Sequence, residues 1–236
     1  MKLSPTGIAL LLLTPSLGVF VASHVIFQQS VPVAALLAVL ASFVWSDVWY
    51  FIDLFLHTVV SALFPLSPSR LQSVMDTHES HAMVSLTDID RNGHYNNARY
   101  LRACGTGRRD FWKANGIWPL IRGAGGNLIV GAQSVRYRRE LTLGQWYKLE
   151  TRIRTWDKQA FYIEHRFVTE SAGSSAPPFV HAIVLVKNNV MGPMRPQEFM
   201  EAREPGIVAP DMPRDIACWI EANVVSSAML RPGKHE

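Results

Sequence analysis

Charge is missing from the start of this 236-residue sequence, because no Asp, Glu, Lys or Arg occurs between Leu3 and Ser46. A single membrane crossing takes about 20 apolar residues, so this stretch is long enough for two. Residues 8–27 and 31–51 are the candidate spans, and polar residues 28–30 separate them. We therefore expect a membrane-anchor region over residues 1–62, with one or two transmembrane helices. A cleaved signal peptide remains an alternative for the first segment.

Cysteine and several catalytic motifs are also scarce or absent. Cys104 and Cys218 are the two cysteines, which is too few for a disulfide scaffold, and they lack metal-ligand spacing. No Gly-x-Ser-x-Gly elbow and no phosphate-binding glycine loop occurs, which excludes the usual serine hydrolase and nucleotide-binding patterns. The net charge of +4 is scattered, so we expect no nucleic-acid partner.

The remainder of the chain has an α+β pattern, after a proline-containing linker that we place at residues 63–80. Apolar residues recur at helical spacing from Asn96, and Asn115-Gly116 is a suitable stop. Gly105 and Gly107 lie inside this helix, where each costs about 1 kcal/mol relative to alanine. They predict a helix face that is pressed against a sheet, with Cys104 as an inert buried thiol on the same helix.

Four strand-like segments follow the helix without another long helix between them, which favours an antiparallel sheet. Their alternating patterns and bounds predict strands at residues 127–139, 147–154, 161–167 and 179–190, after a first short strand at 81–88. Two histidines on these strands, His165 and His181, are expected to be structural. We assign residues 81–195 to the main domain and 196–236 to a C-terminal helical extension, with a helix at 211–230.

A polar loop before the long helix carries the clearest candidate site. Residues 88–104 read Asp-Ile-Asp-Arg-Asn-Gly-His-Tyr-Asn-Asn-Ala-Arg-Tyr-Leu-Arg-Ala-Cys. Asn96 and Asn97 are both good N-cap residues, because a side-chain oxygen can accept from the first N–H groups of a helix. The motif therefore places carboxylates and an imidazole beside the positive end of a helix dipole. On spacing alone, an Asx-rich turn that only caps an ordinary helix is the preferred interpretation.

The motif resembles the signature of hotdog-fold acyl thioesterases of the 4-hydroxybenzoyl-CoA thioesterase type. Within that superfamily, the chain is most similar to proteins of the thioesterase superfamily member six group. Matching pieces recur along the chain, at residues 46–50, 96–102, 156–157 and 160–162. The resemblance implies a hotdog fold, in which an antiparallel sheet wraps around a long central helix, preceded here by the membrane-anchor region.

The same resemblance implies hydrolysis of an acyl-CoA or acyl-carrier thioester, without a metal or cofactor. It places the catalytic carboxylate at Asp90, and the Asp-x-Asn-x-His spacing of plant acyl-carrier-protein thioesterases adds Asn92 and His94. Acidic residues that relatives carry on the helix are replaced here by Ala103 and Gly105. The alternative function is a non-catalytic acyl-CoA- or lipid-binding protein at the membrane.

Further residues are candidates for substrate contact, and the resemblance also implies a partner subunit. Asn96 and Asn97 flank the helix start and are candidates for contacting the substrate. The candidates for binding the phosphates of coenzyme A are Arg136, Arg138 and Arg139. A solvated strand face is at least as compatible with the arginine pattern. Relatives pair two sheets edge to edge, so we expect a homodimer.

Location follows from the apolar segments. If both segments span, or if the first is cleaved and the second stops transfer, the catalytic domain faces the cytosol. We expect the endoplasmic reticulum membrane. The absence of an Asn-x-Ser/Thr acceptor agrees with a cytosolic domain.

Overall fold

The computed structural model of the protein describes residues 5–63, 71–170 and 177–230. The chain divides into two compact units, Met1–Leu66 and Ser67–Glu236. Residues 64–70, which include the prolines of the predicted linker, lie outside the described residues.

The first unit is helical. Helix α1 covers Pro5–Val21 and continues into a π-helical turn at Ala22–Ile26; α2 covers Val31–Trp45 and α3 covers Val48–Leu63. The polar break between the two apolar segments is present as predicted, and Gln28 adopts a positive φ of 54° there.

The second predicted span is shorter than its sequence pattern indicates. We expected it to run to residue 51, but α2 ends at Trp45 and Ser46 takes an extended conformation. The 15 residues of α2 are about 22 Å long, whereas the hydrocarbon core of a bilayer is about 30 Å thick. Within the described residues, no single helix has the length and composition of a membrane span. Only a bent pair of helices has that length and composition when its two members are taken together. The pair is Val31–Trp45 and Val48–Val60, and the bend between the two helices is 98°.

The second unit contains one five-stranded sheet and four helices among its described residues. The strands are β1 (His78–Met83), β2 (Asn127–Tyr137), β3 (Trp146–Trp156), β4 (Ala160–Thr169) and β5 (Phe179–Met191), and the helices are α4 (Asn97–Ala114), α5 (Ile117–Gly123), α6 (Pro196–Arg203) and α7 (Arg214–Met229). The strand order is β1-β3-β4-β5-β2, and every neighbouring pair is antiparallel. The predicted antiparallel α+β architecture is therefore confirmed.

The long helix α4 packs on the sheet and forms one wall of the main core. Its buried side chains include Cys104, Phe111 and Trp112, which join Leu149, Ile153 and Phe161 of the strands in a single apolar cluster. Gly107 is buried at the closest approach to β3, as we predicted. Gly105 differs from the prediction, because nothing lies within 4 Å of the position that its Cβ would occupy.

Several elements differ from the sequence prediction. The first strand covers His78–Met83 rather than residues 81–88, so the polar loop begins earlier than we expected. Short helices α5 and α6 were not predicted. Strand β4 is buried on both faces. On its second face, Arg152 and Arg154 cover Glu164 and donate hydrogen bonds to its carboxylate.

Candidate active site

The loop that follows β1 holds Asp90 in a tight turn. The backbone N–H of Asn92 donates to Asp90 Oδ1 at 2.8 Å, and the N–H of His94 lies 3.4 Å from the same oxygen. The backbone of the turn is closed by Asp90 N–H donating to the His94 carbonyl at 2.9 Å. Gly93 sits between them at φ 77°, a conformation that favours glycine. The sequence Asp-x-Asn-Gly-His therefore forms a loop that fixes the Asp90 side chain.

The second oxygen of Asp90 is available. Within the described ranges, Oδ2 of Asp90 accepts no hydrogen bond, and the side chain is half-buried. A carboxylate whose one oxygen is fixed by N–H donors and whose other oxygen is open can accept a proton or act as a nucleophile.

Asp88, two residues earlier, has a different role. Its Oδ2 accepts from the Ser85 hydroxyl at 2.6 Å and from the Ser85 N–H at 3.0 Å. Its carbonyl accepts from the N–H of Asn96 at 2.8 Å. Asp88 therefore braces the loop against the start of α4.

Asn96 and Asn97, which we predicted as substrate-binding residues or as alternative caps, are separated by the structure. The Asn96 side chain accepts from the N–H of Ala98 at 2.9 Å, so Asn96 is the N-cap of α4. Asn97 is the first residue of the helix, and its exposed side chain is not the cap. Of the two residues that the sequence offered as caps, Asn96 is therefore the one that caps the helix.

Asn92 and His94 share the loop with Asp90 but are exposed. The structure links all three through backbone hydrogen bonds, and it describes no hydrogen bond between their side chains. His94 also forms an isolated bridge with Thr142, which attaches the loop to the turn before β3. The predicted trio is thus brought together in space by the loop itself.

An aromatic cluster that sequence reasoning missed lies beneath this loop. Tyr95 is buried, its hydroxyl is 3.1 Å from that of Tyr147, and its ring centroid is 4.5 Å from that of Tyr100. Burial raises the pKa of Tyr95 and raises that of Tyr147 to about 12, so both phenols stay protonated near neutral pH. They anchor the loop and cannot serve as bases. Their spacing in sequence gives no sign of the contact.

The three arginines that we predicted as phosphate ligands lie at the end of β2 and just after it. Tyr137 of β2 donates from its hydroxyl to the Asn97 carbonyl at 3.0 Å, so this end of the strand lies beside the start of α4. Arg138 and Arg139 both stack on the ring of Phe179, and Arg138 also donates to the Val180 carbonyl at 2.9 Å. Arg136 is exposed on the strand. Two of the three are therefore held by an aromatic ring.

The remaining candidates of the sequence behave as expected. Cys104 is buried, and burial raises the pKa of its thiol to about 12, which makes it inert. His165 and His181 are buried and hydrogen-bonded, to Thr151 and Thr169 respectively.

A single helix packed on an antiparallel sheet, with an aspartate loop at the start of that helix, defines a hotdog-type thioesterase-like protein. Comparison with known families agrees, since the model of the thioesterase-like superfamily matches residues 84–220. The chain belongs to this superfamily.

Curated relatives extend the likeness over most of the chain. Protein THEM6 of Danio rerio is 37% identical over 187 residues, which cover 78% of this chain and 87% of the relative. Protein THEM6 of Drosophila melanogaster is 32% identical and covers 84% and 98% of the two chains. Among solved structures, Slr0204, a 1,4-dihydroxy-2-naphthoyl-CoA thioesterase from Synechocystis, aligns with a TM-score of 0.43 at 16% identity, covering 54% of this chain and 96% of that one.

Proposed function

We propose that this protein hydrolyses an acyl thioester, either an acyl-CoA or an acyl-carrier thioester, with Asp90 as the catalytic carboxylate. The observation that carries the proposal is the fixed orientation of Asp90, with Oδ1 held by the loop and Oδ2 open. Membership of the thioesterase-like superfamily supports acyl thioester hydrolysis in general.

Each part of the loop has a role in this reaction. Asp90 takes a proton from a water molecule as the water oxygen adds to the thioester carbonyl, and the N-terminus of α4 stabilises the resulting oxyanion. Collapse of the intermediate breaks the carbon–sulfur bond, and the proton passes to the departing thiolate. Asn92 orients the water, and His94 positions the carbonyl or the carboxylate.

Substrate contacts follow the same geometry. Arg136, Arg138 and Arg139 lie on the side of the helix start that Tyr137 reaches, where they would attract the phosphates of coenzyme A. Asn97 is exposed at the first turn of α4, whereas Asn96 is occupied as the cap. Asn97 is therefore the better candidate of the two for touching substrate.

The test compares two aspartates of one loop. Asp90→Asn keeps an oxygen for the Asn92 and His94 N–H groups but removes the charge, so the rate of thiol release from acyl-CoAs should fall by about 10²–10⁴-fold with an unchanged melting temperature. Asp88→Asn is the matched control, because Asp88 only braces the loop; it should lower the melting temperature and leave the rate per folded molecule near wild type. Equal rates for Asp90→Asn and wild type would contradict the assignment.

A second candidate function is acyl-CoA or lipid binding without turnover. Ala103 and Gly105 favour it, because they leave α4 without a carboxylate at those positions. Saturable acyl-CoA binding with no thiol release by the wild-type protein would establish it.

Anchoring to a membrane is part of the proposal. Apolar side chains are exposed throughout the described part of the first unit, and they include Val25, Phe27, Leu36 and Val44. Such a surface is stabilised by lipid rather than by water. We place this unit in the endoplasmic reticulum membrane, with the thioesterase domain in the cytosol.

The proposal also includes a homodimer formed through β2. This strand occupies one edge of the sheet and is 11 residues long, so its outer backbone groups form an unpaired edge. Ile129 of β2 is exposed, and a second copy of the chain would cover it.

A further inference from the structure

A cavity lies on α4, away from the aspartate loop. It has a volume of about 210 Å³ and is lined by Gly105, Arg108, Trp112, Leu128, Val130 and Asn188, together with further residues of α4 and α5. At about 30 Å³ per water molecule, it has room for roughly seven waters, or for a carboxylate with several methylene groups. Because Gly105 has no side chain, the helix surface is open at this point.

Two buried polar atoms belong to side chains of this cavity wall and lack partners. Trp112 is 4% exposed and Asn188 is 3% exposed, yet Nε1 of Trp112 and Oδ1 of Asn188 have no hydrogen-bond partner in the described part of the chain. A buried polar group without a partner costs about 1–3 kcal/mol. A ligand that accepts from the indole N–H would remove one of these costs.

Arg108 adds a partly buried positive charge to the same wall. Its Nη1 lies 3.4 Å from Nε2 of His165, and no carboxylate pairs with it among the residues that the structure describes. Because arginine can only donate, His165 accepts through Nε2 and donates through Nδ1 to Thr151 Oγ1 at 2.9 Å. The neutral side chains of His165 and Thr151 therefore orient the Arg108 guanidinium but do not balance its charge. Burial accordingly lowers the pKa of Arg108.

The positive charge of Arg108 and the unpaired indole N–H of Trp112 therefore favour an anion that accepts hydrogen bonds. Arg109 contributes a second guanidinium, and no acidic side chain lines the described wall. Buried charges in proteins are paired, and arginine matches a carboxylate through two parallel hydrogen bonds.

Its place on the helix connects the cavity to the aspartate loop. Residues 98, 101, 105, 108 and 112 follow helical spacing and share one face of α4. Gly105 comes eight residues after Asn97, so the cavity begins about 12 Å along the axis from the helix start. A chain whose thioester lies at the helix start can follow this face into the cavity.

We propose that this cavity binds a carboxylate at the far end of the acyl chain, so that the preferred substrate is a thioester of a dicarboxylic acid. The substrate preference rests on the proposed thioesterase function, but the carboxylate site can be tested without turnover.

Binding is measured on the full-length protein in detergent, with ¹⁵N-labelled tryptophan and the Trp112 indole resonance assigned through Trp112→Phe. The probes are monomethyl suberate, which has an ester at one end and a carboxylate at the other, and dimethyl suberate, which lacks the charge. We expect the monomethyl ester to shift the Trp112 resonance saturably and the dimethyl ester to bind at least tenfold more weakly. Equal binding of the two esters overturns the proposal, and so does phosphate binding that the monomethyl ester does not displace.

Two variants and a control locate the charge. Arg108→Gln should weaken binding of the monomethyl ester at least tenfold. Asn188→Asp places a negative charge in the cavity and should abolish it, and because aspartate has nearly the same shape as asparagine, this variant tests the site even if Arg108→Gln fails to fold. Arg214→Gln removes a positive charge from the exposed start of α7 and should bind as wild type does. Unchanged binding by Asn188→Asp overturns the proposal.

Turnover then separates this proposal from the thioesterase function. For dodecanedioyl-CoA, whose carboxylate can reach a cavity that begins about 12 Å from the helix start, Arg108→Gln should raise KM at least tenfold without changing kcat, while dodecanoyl-CoA should be unaffected. Specific ester binding without thiol release from either substrate would retain the carboxylate site and overturn only the hydrolytic function.

Discussion

Gly107 of α4 lies so close to Leu149 of β3 that a β-carbon added to the glycine would come within 2.7 Å of the leucine Cδ2. The same β-carbon would lie 3.2 Å from Oγ1 of Thr151. Leu149 and Thr151 are both buried, so neither can move freely. The short distance between α4 and β3 is therefore possible only because residue 107 is a glycine.

Alanine substitution of the two helix glycines should affect stability differently. Gly105→Ala meets no atom within 4 Å and should stabilise the protein by up to about 1 kcal/mol through helix propensity. Gly107→Ala gains the same propensity, but overpacking costs about 1–3 kcal/mol, so the variant should be less stable than Gly105→Ala. Thermal unfolding followed by near-ultraviolet circular dichroism compares them. Equal melting temperatures would contradict the tight contact.

The N-cap of α4 provides a second matched pair. Asn96→Ala removes the oxygen that accepts from Ala98 N–H and should lower the free energy of unfolding by about 1 kcal/mol. Asn97→Ala removes an exposed side chain that caps nothing and should change stability by less than about 0.5 kcal/mol. Urea unfolding measures both changes. A larger loss of unfolding free energy for Asn97→Ala would indicate that Asn97, and not Asn96, is the cap.

Stability should fall as the pH drops below about 6.5. Burial, with Arg108 as a second cause, holds the pKa of His165 well below its ordinary value of 6.5. The unfolded chain therefore binds a proton that the folded protein does not, so acid favours unfolding with a slope that approaches about 1.4 kcal/mol per pH unit. Urea unfolding between pH 5.5 and pH 7.5 measures the slope.

A His165→Gln variant is the control for that measurement. It should have a shallower slope, although His78 and His181, whose pKa values are also lowered by burial, still contribute with the same sign. A slope that is identical in wild type and variant would show that folding does not change the protonation of His165.

Protease digestion of intact microsomes tests the proposed orientation. A C-terminal tag on the full chain should be removed without detergent, because the domain is expected in the cytosol. A lumenal marker protein that survives in the same sample is the control. A tag that survives until detergent is added would place the domain in the lumen.

Sedimentation velocity of the detergent-solubilised chain tests the proposed dimer. Ile129→Lys adds a charge to the long edge strand β2 and should yield monomers, because pairing would bury that charge. Met83→Lys makes the same change on the short edge strand β1 and should leave the dimer intact. A monomeric wild type at micromolar concentration would contradict the proposal.

Much of the fold is readable from the sequence, because its signals are local. The alternation between residues 147 and 154 directly predicts β3, since every second side chain of that strand is buried. The buried carboxylate of Glu164 was not predictable, because its partners Arg152 and Arg154 lie on the neighbouring strand. Helix α6 was missed for a related reason, since its buried residues Phe199 and Met200 meet the core only after the chain has folded.

Some residues of the candidate site are likewise predictable from the sequence, and others are not. Asp90, Asn92 and His94 are close in sequence, so the motif alone is enough to place them together. The contact between Tyr95 and Tyr147 joins residues 52 positions apart, and nothing local indicates it. The cavity beside Arg108 also depends on strands β2 and β5, which is why Arg108 and Asn188 do not stand out in the sequence.

The strand order also has a consequence for biosynthesis. Both edge strands leave the ribosome long before the strand that each must join: β1 at His78–Met83 pairs with β3 at Trp146–Trp156, and β2 waits for β5 at Phe179–Met191. Until then, the apolar face of α4 has no sheet to cover it. Contacts so distant in sequence fold slowly and leave apolar surface open to aggregation. The nascent chain is therefore most vulnerable between the synthesis of α4 and that of β5, an interval in which chaperone binding would protect the very helix that later carries the site.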